Sequence, residues 1–325
     1  MIVERYRPED ATSWNAFVRD SRNGTFLFDR GYMDYHADRF QDHSLIVKNE
    51  EGQPLALLPG HVDETTLSSH DGLSFGGMIV APQTTAIHFL HAFEAVLKYL
   101  QAAGIKTLNY KCVPHIYHRQ SSDDDRYAFH LLGAQRTRCD VLSVVTRSDP
   151  LPYQGRRKRG IKKAEHARVT IQDDQDFSSY WGLLTETLAT RHGAEPVHSL
   201  DEMRLLAERF PENIQLTTAR SKEGEMLAGV VLYLSDCVTH CQYIAASEQG
   251  RELHALDLLF DMLICDASAD ATYFDFGSSH EEAGRFINRG LIEQKEGFGA
   301  RSVVAERYRI DVATFVPGTL TGALR

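Results

Sequence analysis

The chain has 325 residues, 42% of them apolar and 25% charged, and a net charge of −10 at neutral pH. At roughly 150 residues per domain this length calls for about two domains, and the composition excludes a disordered, collagenous or coiled-coil chain. No apolar run reaches the roughly 18 residues of a transmembrane helix, and the net negative charge argues against a dedicated nucleic-acid binder while leaving room for one local basic site.

The opening stretch MIVERYRPED lacks the apolar segment of a signal peptide. With no export signal, the five cysteines (Cys112, Cys139, Cys237, Cys241 and Cys265) are expected as reduced thiols in a cytoplasmic protein. Cys237 and Cys241 form the one close pair and share a face of an apparent strand. Zinc spacings usually come as two such pairs, so buried small residues and no metal are expected here.

In chain order, a strand at Ile2–Tyr6 precedes a helix from Asp10 to Arg19 and a second helix from Asp29 to Asp38. Strands at Ser44–Lys48 and Pro54–Val62 flank a Glu-Glu-Gly-Gln turn, and a third strand lies at Thr65–His70. The loop Gly72–Pro82 leads to a long amphipathic helix at Thr85–Ala103, closed by Gly104. Ile105–Lys111 is a buried strand, Ser122–Leu132 a helix and Gln135–Val145 a strand.

The second half repeats this order. Val169–Gln172 is a strand, and Phe177–Arg191 and Leu200–Arg209 are helices. Strands follow at Ile214–Arg220, Leu227–Leu234 and Cys237–Ala246. Then come helix Arg251–Ala267, strand Thr272–Phe276, helix Glu281–Ile292 and strand Ser302–Ile310. The order βααβββαβαβ therefore occurs twice, half the chain apart, with matching corners at Leu132-Gly-Ala134 and Phe298-Gly-Ala300. The expected fold class is α/β with mixed, mostly antiparallel sheets flanked by helices, in two domains, 1–150 and 151–325. The tail Ala313–Arg325 shows no pattern.

This order is similar to the GNAT acyltransferase fold, and its duplication resembles the tandem FemABX-like transferases. The segment Gly284–Ala300 looks like the closing G…GL…FKxGFG stretch of that family, with Gly290, Leu291, Lys295, Gly297, Phe298 and Gly299 on the pattern and Gln294 in place of an aromatic. Arg156–Ala164 resembles its basic helix. The resemblance implies transfer of an acyl group from an acyl-CoA-type donor to an amine of a sugar or cell-envelope precursor. One alternative is aminoacyl transfer from aminoacyl-tRNA, and another is a degenerate, non-catalytic binding protein. Donors would act as co-substrates, with no tightly bound cofactor.

Seven Lys or Arg residues lie between Gln154 and Val169, with one acid, Glu165. Such a focus of cations suits phosphates, so Arg156, Arg157 and Lys158 are candidate donor contacts. The resemblance places a pyrophosphate-binding turn at Ala246–His254, where Gln249, Gly250 and Arg251 would bind, but the second glycine of that turn is missing. Acyl transfer needs a base for the amine and stabilisation of the carbonyl oxygen. Asp275, set among apolar residues, is costly unless paired or functional. His240 and Tyr243 on the preceding strand complete the candidate catalytic set. Lys295 is a substrate contact by resemblance. Lys111, His115, Tyr117 and His118, leaving a strand in the first half, are candidate acceptor contacts.

Overall fold

The computed structural model describes residues 1–266 and 270–324. The chain forms two compact units, Met1–Asp140 with Val304–Arg325, and Val141–Val303. This differs from a cut at residue 150. The final strand of the sequence belongs mostly to the first unit, and its counterpart from the first half is divided between the two units at residues 140 and 141.

The first unit opens with β1 (Ile2–Arg5), α1 (Ala11–Asp20) and the single-turn α2 (Arg30–Met33). Five short strands follow: β2 (Leu45–Lys48), β3 (Pro54–Leu58), β4 (His61–Asp63), β5 (Thr66–Ser68) and β6 (Ile79–Val80). Then come α3 (Ala86–Ala102), β7 (Thr107–Lys111), α4 (Asp124–Leu132) and the first part of β8 (Gln135–Thr146). The expected strand Pro54–Val62 is broken, because Pro59-Gly60 separates β3 from β4. β1-β2-β3-β6 form one antiparallel sheet. β4, β5 and β7 form another, in which β5 and β7 are parallel.

Helix α3 begins where the Thr85 hydroxyl accepts the His88 N–H. Its Phe89, Phe93, Val96, Leu97 and Leu100 pack with Leu45, Val47, Leu58, Leu108 and Tyr110. The patternless tail joins this core through Phe315 and Leu320. Buried Glu94 accepts the N–H groups of Gly318, Leu320 and Thr321, which ties the tail down.

The second unit contains α5 (Gly155–His166), β9 (Thr170–Asp174), α6 (Phe177–His192), α7 (Leu200–Arg209), β10 (Ile214–Arg220), β11 (Met226–Leu234) and β12 (Val238–Ala246). It continues with α8 (Glu248–Glu252), α9 (Ala255–Ile264), β13 (Tyr273–Ser278), the hairpin β14 (His280–Glu281) and β15 (Phe286–Ile287), and α10 (Arg289–Glu296). The last strand, β16 (Arg301–Asp311), pairs with β7 in the first unit, whereas residues 142–146 of β8 lie against β13 in the second. Strand order in the second unit is β8-β13-β12-β11-β10-β9, and only β12–β13 is parallel.

Ile161 and Ala164 of α5 and Leu259 and Phe260 of α9 bury one face of this sheet with Val230, Phe274, Phe276 and Phe298. Tyr180 of α6 covers the opposite face over Gly229, where an added Cβ would meet the ring at 2.6 Å.

Two expected helices differ. Arg251–Ala267 is split into α8 and α9, with His254 between them at φ 58°. Its last expected residue, Ala267, lies outside the described residues. Glu281–Ile292 is a hairpin, and a helix starts only where Asn288 caps α10 by accepting the Leu291 N–H. Phe286, Ile287 and Leu291 are exposed.

Candidate active site

β12 and β13 pair for three rungs: Val238↔Tyr273, Thr239↔Phe274 and His240↔Asp275. Beyond the third rung, no further pairing of these strands is present among the described residues. Parting strands leave edge N–H and C=O groups without sheet partners, open to an extended, amide-bearing ligand.

The last rung brings an imidazole and a carboxylate together. His240 Nδ1 lies 2.8 Å from Asp275 Oδ2. Asp275 is fully buried, and the imidazole is 19% exposed. Asp275 Oδ1 accepts the Gly277 N–H at 2.7 Å. A buried carboxylate holding Nδ1–H leaves the Nε2 lone pair as the accessible base and steadies the imidazolium once it forms.

A β-bulge sets this face. The β11–β12 register passes from Leu232↔Cys241 to Val231↔Tyr243, leaving Gln242 as an extra residue. Strict alternation would turn His240 and Tyr243 to opposite faces. With the bulge, Cys241, Ile244 and Ala246 all reach the α5–α9 core, and Tyr243 packs edge-on against Trp181 of α6. The Tyr243 hydroxyl accepts the His198 N–H and lies 2.6 Å from His198 Nδ1. Tyr243 therefore lines the dyad's face but is engaged with His198.

Lys295 does not reach outward. It is 4% exposed and donates to the carbonyls of Gly277 (3.0 Å) and Ser278 (2.8 Å). Burial pushes its pKa down to about 8, against the pull of Asp275 and Cys241. The expected substrate contact is instead a clamp on the strand end that presents Asp275. Gly277, at φ 73°, has room for a Cβ only 3.3 Å from His240 Cε1. Gly277→Ala is expected to cost about 1–2 kcal/mol in backbone strain and to lower turnover by displacing His240; a melt paired with an activity assay checks both.

On α5, Arg157 pairs with buried Asp257 at 2.5 Å and sits over Phe298. Arg156 donates to the Glu293 carbonyl. Gly160 lets α5 approach α9, since a Cβ there would meet Asp257 Oδ2 at 2.0 Å. Of the expected donor contacts, Arg157 is thus committed inward. Lys158, Arg159, Lys162 and Lys163 form the exposed basic surface.

At the α8 turn, the Ser247 hydroxyl accepts the Gly250 N–H, and Arg251 donates to the Ala246 carbonyl. Gln249 is exposed and Gly250 buried. A Cβ on Gly250 would lie 2.0 Å from the Leu227 carbonyl oxygen. This glycine serves packing against β11. Gly250→Ala should destabilise by roughly 1–3 kcal/mol, as overpacking does, readable as a fall in urea midpoint.

In the first unit, the Lys111 ammonium donates to the carbonyls of His70, Asp71 and Leu73. Tyr117 is buried against Phe75. Burial, then Arg126, pushes His118 down to about 4. Only His115 of the expected acceptor cluster is exposed. The roles of Gly277 and His198 had no local signal, because each depends on a partner distant in sequence or on backbone geometry. Among the described residues, no group of three or more His, Cys, Asp or Glu is placed to hold a metal, and no helix is long and apolar enough to cross a membrane.

Residues 154–283 match the family described as Acetyltransferase (GNAT) domain. No curated protein sequence matches the chain. Among solved structures, FemX is similar over 100% of both chains, with a TM-score of 0.68 at 10% identity. L-PGS from Bacillus licheniformis is similar over 99% of this chain and 97% of its own, with a TM-score of 0.58 at 13% identity. A tandem GNAT protein from the clavulanic acid biosynthesis pathway is similar over 97% of this chain and 100% of its own, with a TM-score of 0.53 at 11% identity. At these identities the three likenesses establish the fold. The family match is to a GNAT acetyltransferase domain over residues 154–283, and the fold of the chain is similar to those of FemX and a tandem GNAT protein.

Proposed function

We propose that the chain transfers an acyl group from an acyl-CoA-type donor to an amine, with His240 as general base. The observation that carries this is the His240–Asp275 hydrogen bond at the rung where β12 and β13 part. An incoming ammonium loses one proton to water on binding and a second to His240 Nε2 as its nitrogen attacks the acyl carbon. The new C–N bond forms, the bond to the leaving group breaks, and His240 returns its proton to that group. Asp275 orients the imidazole throughout, and Lys295 holds the strand that carries it. The acceptor is an amine-bearing sugar or cell-envelope precursor, a reading that rests on the family resemblance.

A second donor, aminoacyl-tRNA, is favoured by one observation. The α8 turn spends its Gly250 N–H on Ser247, while Lys158, Arg159, Lys162 and Lys163 offer an extended basic surface suited to a phosphate chain. Titrating the protein with acetyl-CoA and with charged tRNA in a thermal-shift assay separates the two. A ligand at 100 times its Kd stabilises by roughly 2.7 kcal/mol. A shift with acetyl-CoA supports the first donor. A salt-sensitive shift with charged tRNA alone, lost when Lys158 and Lys162 become Glu, supports the second. No shift with either overturns both donor assignments.

A further inference from the structure

The duplication lets the two units be compared rung by rung. In the first unit, β5 and β7 also pair in parallel for three rungs, ending at Ser68↔Asn109. That rung stands where His240↔Asp275 stands in the second unit. Serine and asparagine offer no base, so the first unit does not repeat the chemistry.

The same face of this unit is cationic instead. Leu108 and Tyr110 point into the helical core, so alternation places Asn109 and Lys111 on the other face. Their partners across β7–β16 are Arg309 and Arg307. Arg138 acts on both Lys111 and Arg307 as a like charge. Two acids oppose this group. Asp140 takes Arg138 Nε on both carboxylate oxygens, and Asp71 lies 3.3 Å from Lys111 Nζ.

Arg307 stands out. Its guanidinium is half-buried, yet among the described residues it makes no hydrogen bond or ion pair. Burial, then Arg138, pushes its pKa down, against the weaker pull of Asp140 and Asp71, neither of which it contacts as an ion pair. An arginine kept in that state costs stability unless it has another use. Its planar fork suits a bidentate oxyanion.

We propose that this face of the first unit, centred on Arg307 with Arg309 beside it and Lys111 behind it, binds an oxyanion, phosphate or carboxylate, of the small-molecule acceptor. The assignment to the acceptor rests on the transfer reaction proposed above; the oxyanion site itself does not.

The test is a thermal-shift titration with inorganic pyrophosphate and, separately, with succinate, on wild type, Arg307→Met and His240→Asn. The expected result is a rise of roughly 2–4 °C in wild type and in His240→Asn with one of the two anions, absent in Arg307→Met. Pyrophosphate response alone points to a phosphate, and succinate response alone to a carboxylate. Without ligand, Arg307→Met should melt at or above wild type, because the substitution removes a half-buried guanidinium that has no hydrogen bond or ion pair among the described residues. A structural arginine would do the opposite. No response of wild type to either anion, or an undiminished response in Arg307→Met, overturns the site. Retained response in an inactive His240→Asn keeps this result separate from the fate of the proposed reaction.

Discussion

His240→Asn should lower acyl transfer roughly 100- to 10,000-fold, the usual contribution of a positioned general base, while changing the melting temperature by only a few degrees. The small effect on stability follows from place. The imidazole is partly exposed and bonds to Asp275. The large effect on rate follows from geometry. The ring lies where the parallel ladder ends, and its Nδ1 is committed to a fully buried carboxylate. Asparagine can still donate to Asp275 but has no lone pair of matching basicity. Steady-state turnover beside a melting curve checks both halves. Equal losses of activity and of folded protein would show that His240 is structural.

The second large effect is acid instability of the first unit. His70 is 3% exposed, and among the described residues its Nδ1 has no hydrogen-bond partner. Burial, then His36, His61, Lys111 and Arg30, pushes its pKa to about 3 from the ordinary 6.5. The folded state holds this ring neutral while the unfolded chain takes up a proton below about 6.5. The unfolded state therefore binds more protons across that window. The stability involved is complete above pH 6.5 and is lost as pH falls toward 3, to the order of 4 kcal/mol. His118, held at about 4, adds in the same direction.

Two carboxylates act lower down. Glu94 is pushed up by burial, but its bonds to Lys98 and to the tail outweigh this and hold it at about 2. Asp174 is likewise pushed up by burial and brought to about 2, chiefly by Arg220. Their contributions are present above about 4.5 and fade below it. Melting temperature should thus begin to fall near pH 6, well above the carboxylate range. His70→Asn keeps a residue type that tolerates the left-handed backbone at φ 66° and removes the titration, so the limb between pH 6 and 4 should flatten. An unchanged limb in that variant would assign the acid sensitivity elsewhere.

Much of the architecture was legible in the sequence because hydrophobic period and turn residues act locally. The helix at Ala86–Ala102 with its Thr85 cap and the strands at Ile214–Arg220 and Met226–Leu234 follow from them directly. The hairpin at residues 280–287 was not legible, since Phe286, Ile287 and Leu291 carry helical spacing yet face solvent. The exchange of β8 and β16 between units was hidden because pairing partners are a tertiary choice. In the site, Asp275 betrayed itself as a carboxylate among phenylalanines, and His240 lay nearby on the next strand. Their register as partners could not be read, because it depends on where a parallel ladder starts. The bulge at Gln242, which brings Tyr243 to the dyad's face, leaves no mark in residue type. Lys295 matched a family pattern, but only its burial shows that it supports the strand.

The most direct test of the dyad is the rate of acyl transfer by Asp275→Asn against wild type across pH 5 to 9. An asparagine there keeps the shape but can offer its amide N–H to the imidazole, which favours the wrong tautomer. The variant should fall at least roughly 100-fold below wild type at the optimum while remaining folded. A variant within about threefold of wild type, with the same pH profile, would contradict a His240–Asp275 base as the centre of this enzyme's chemistry.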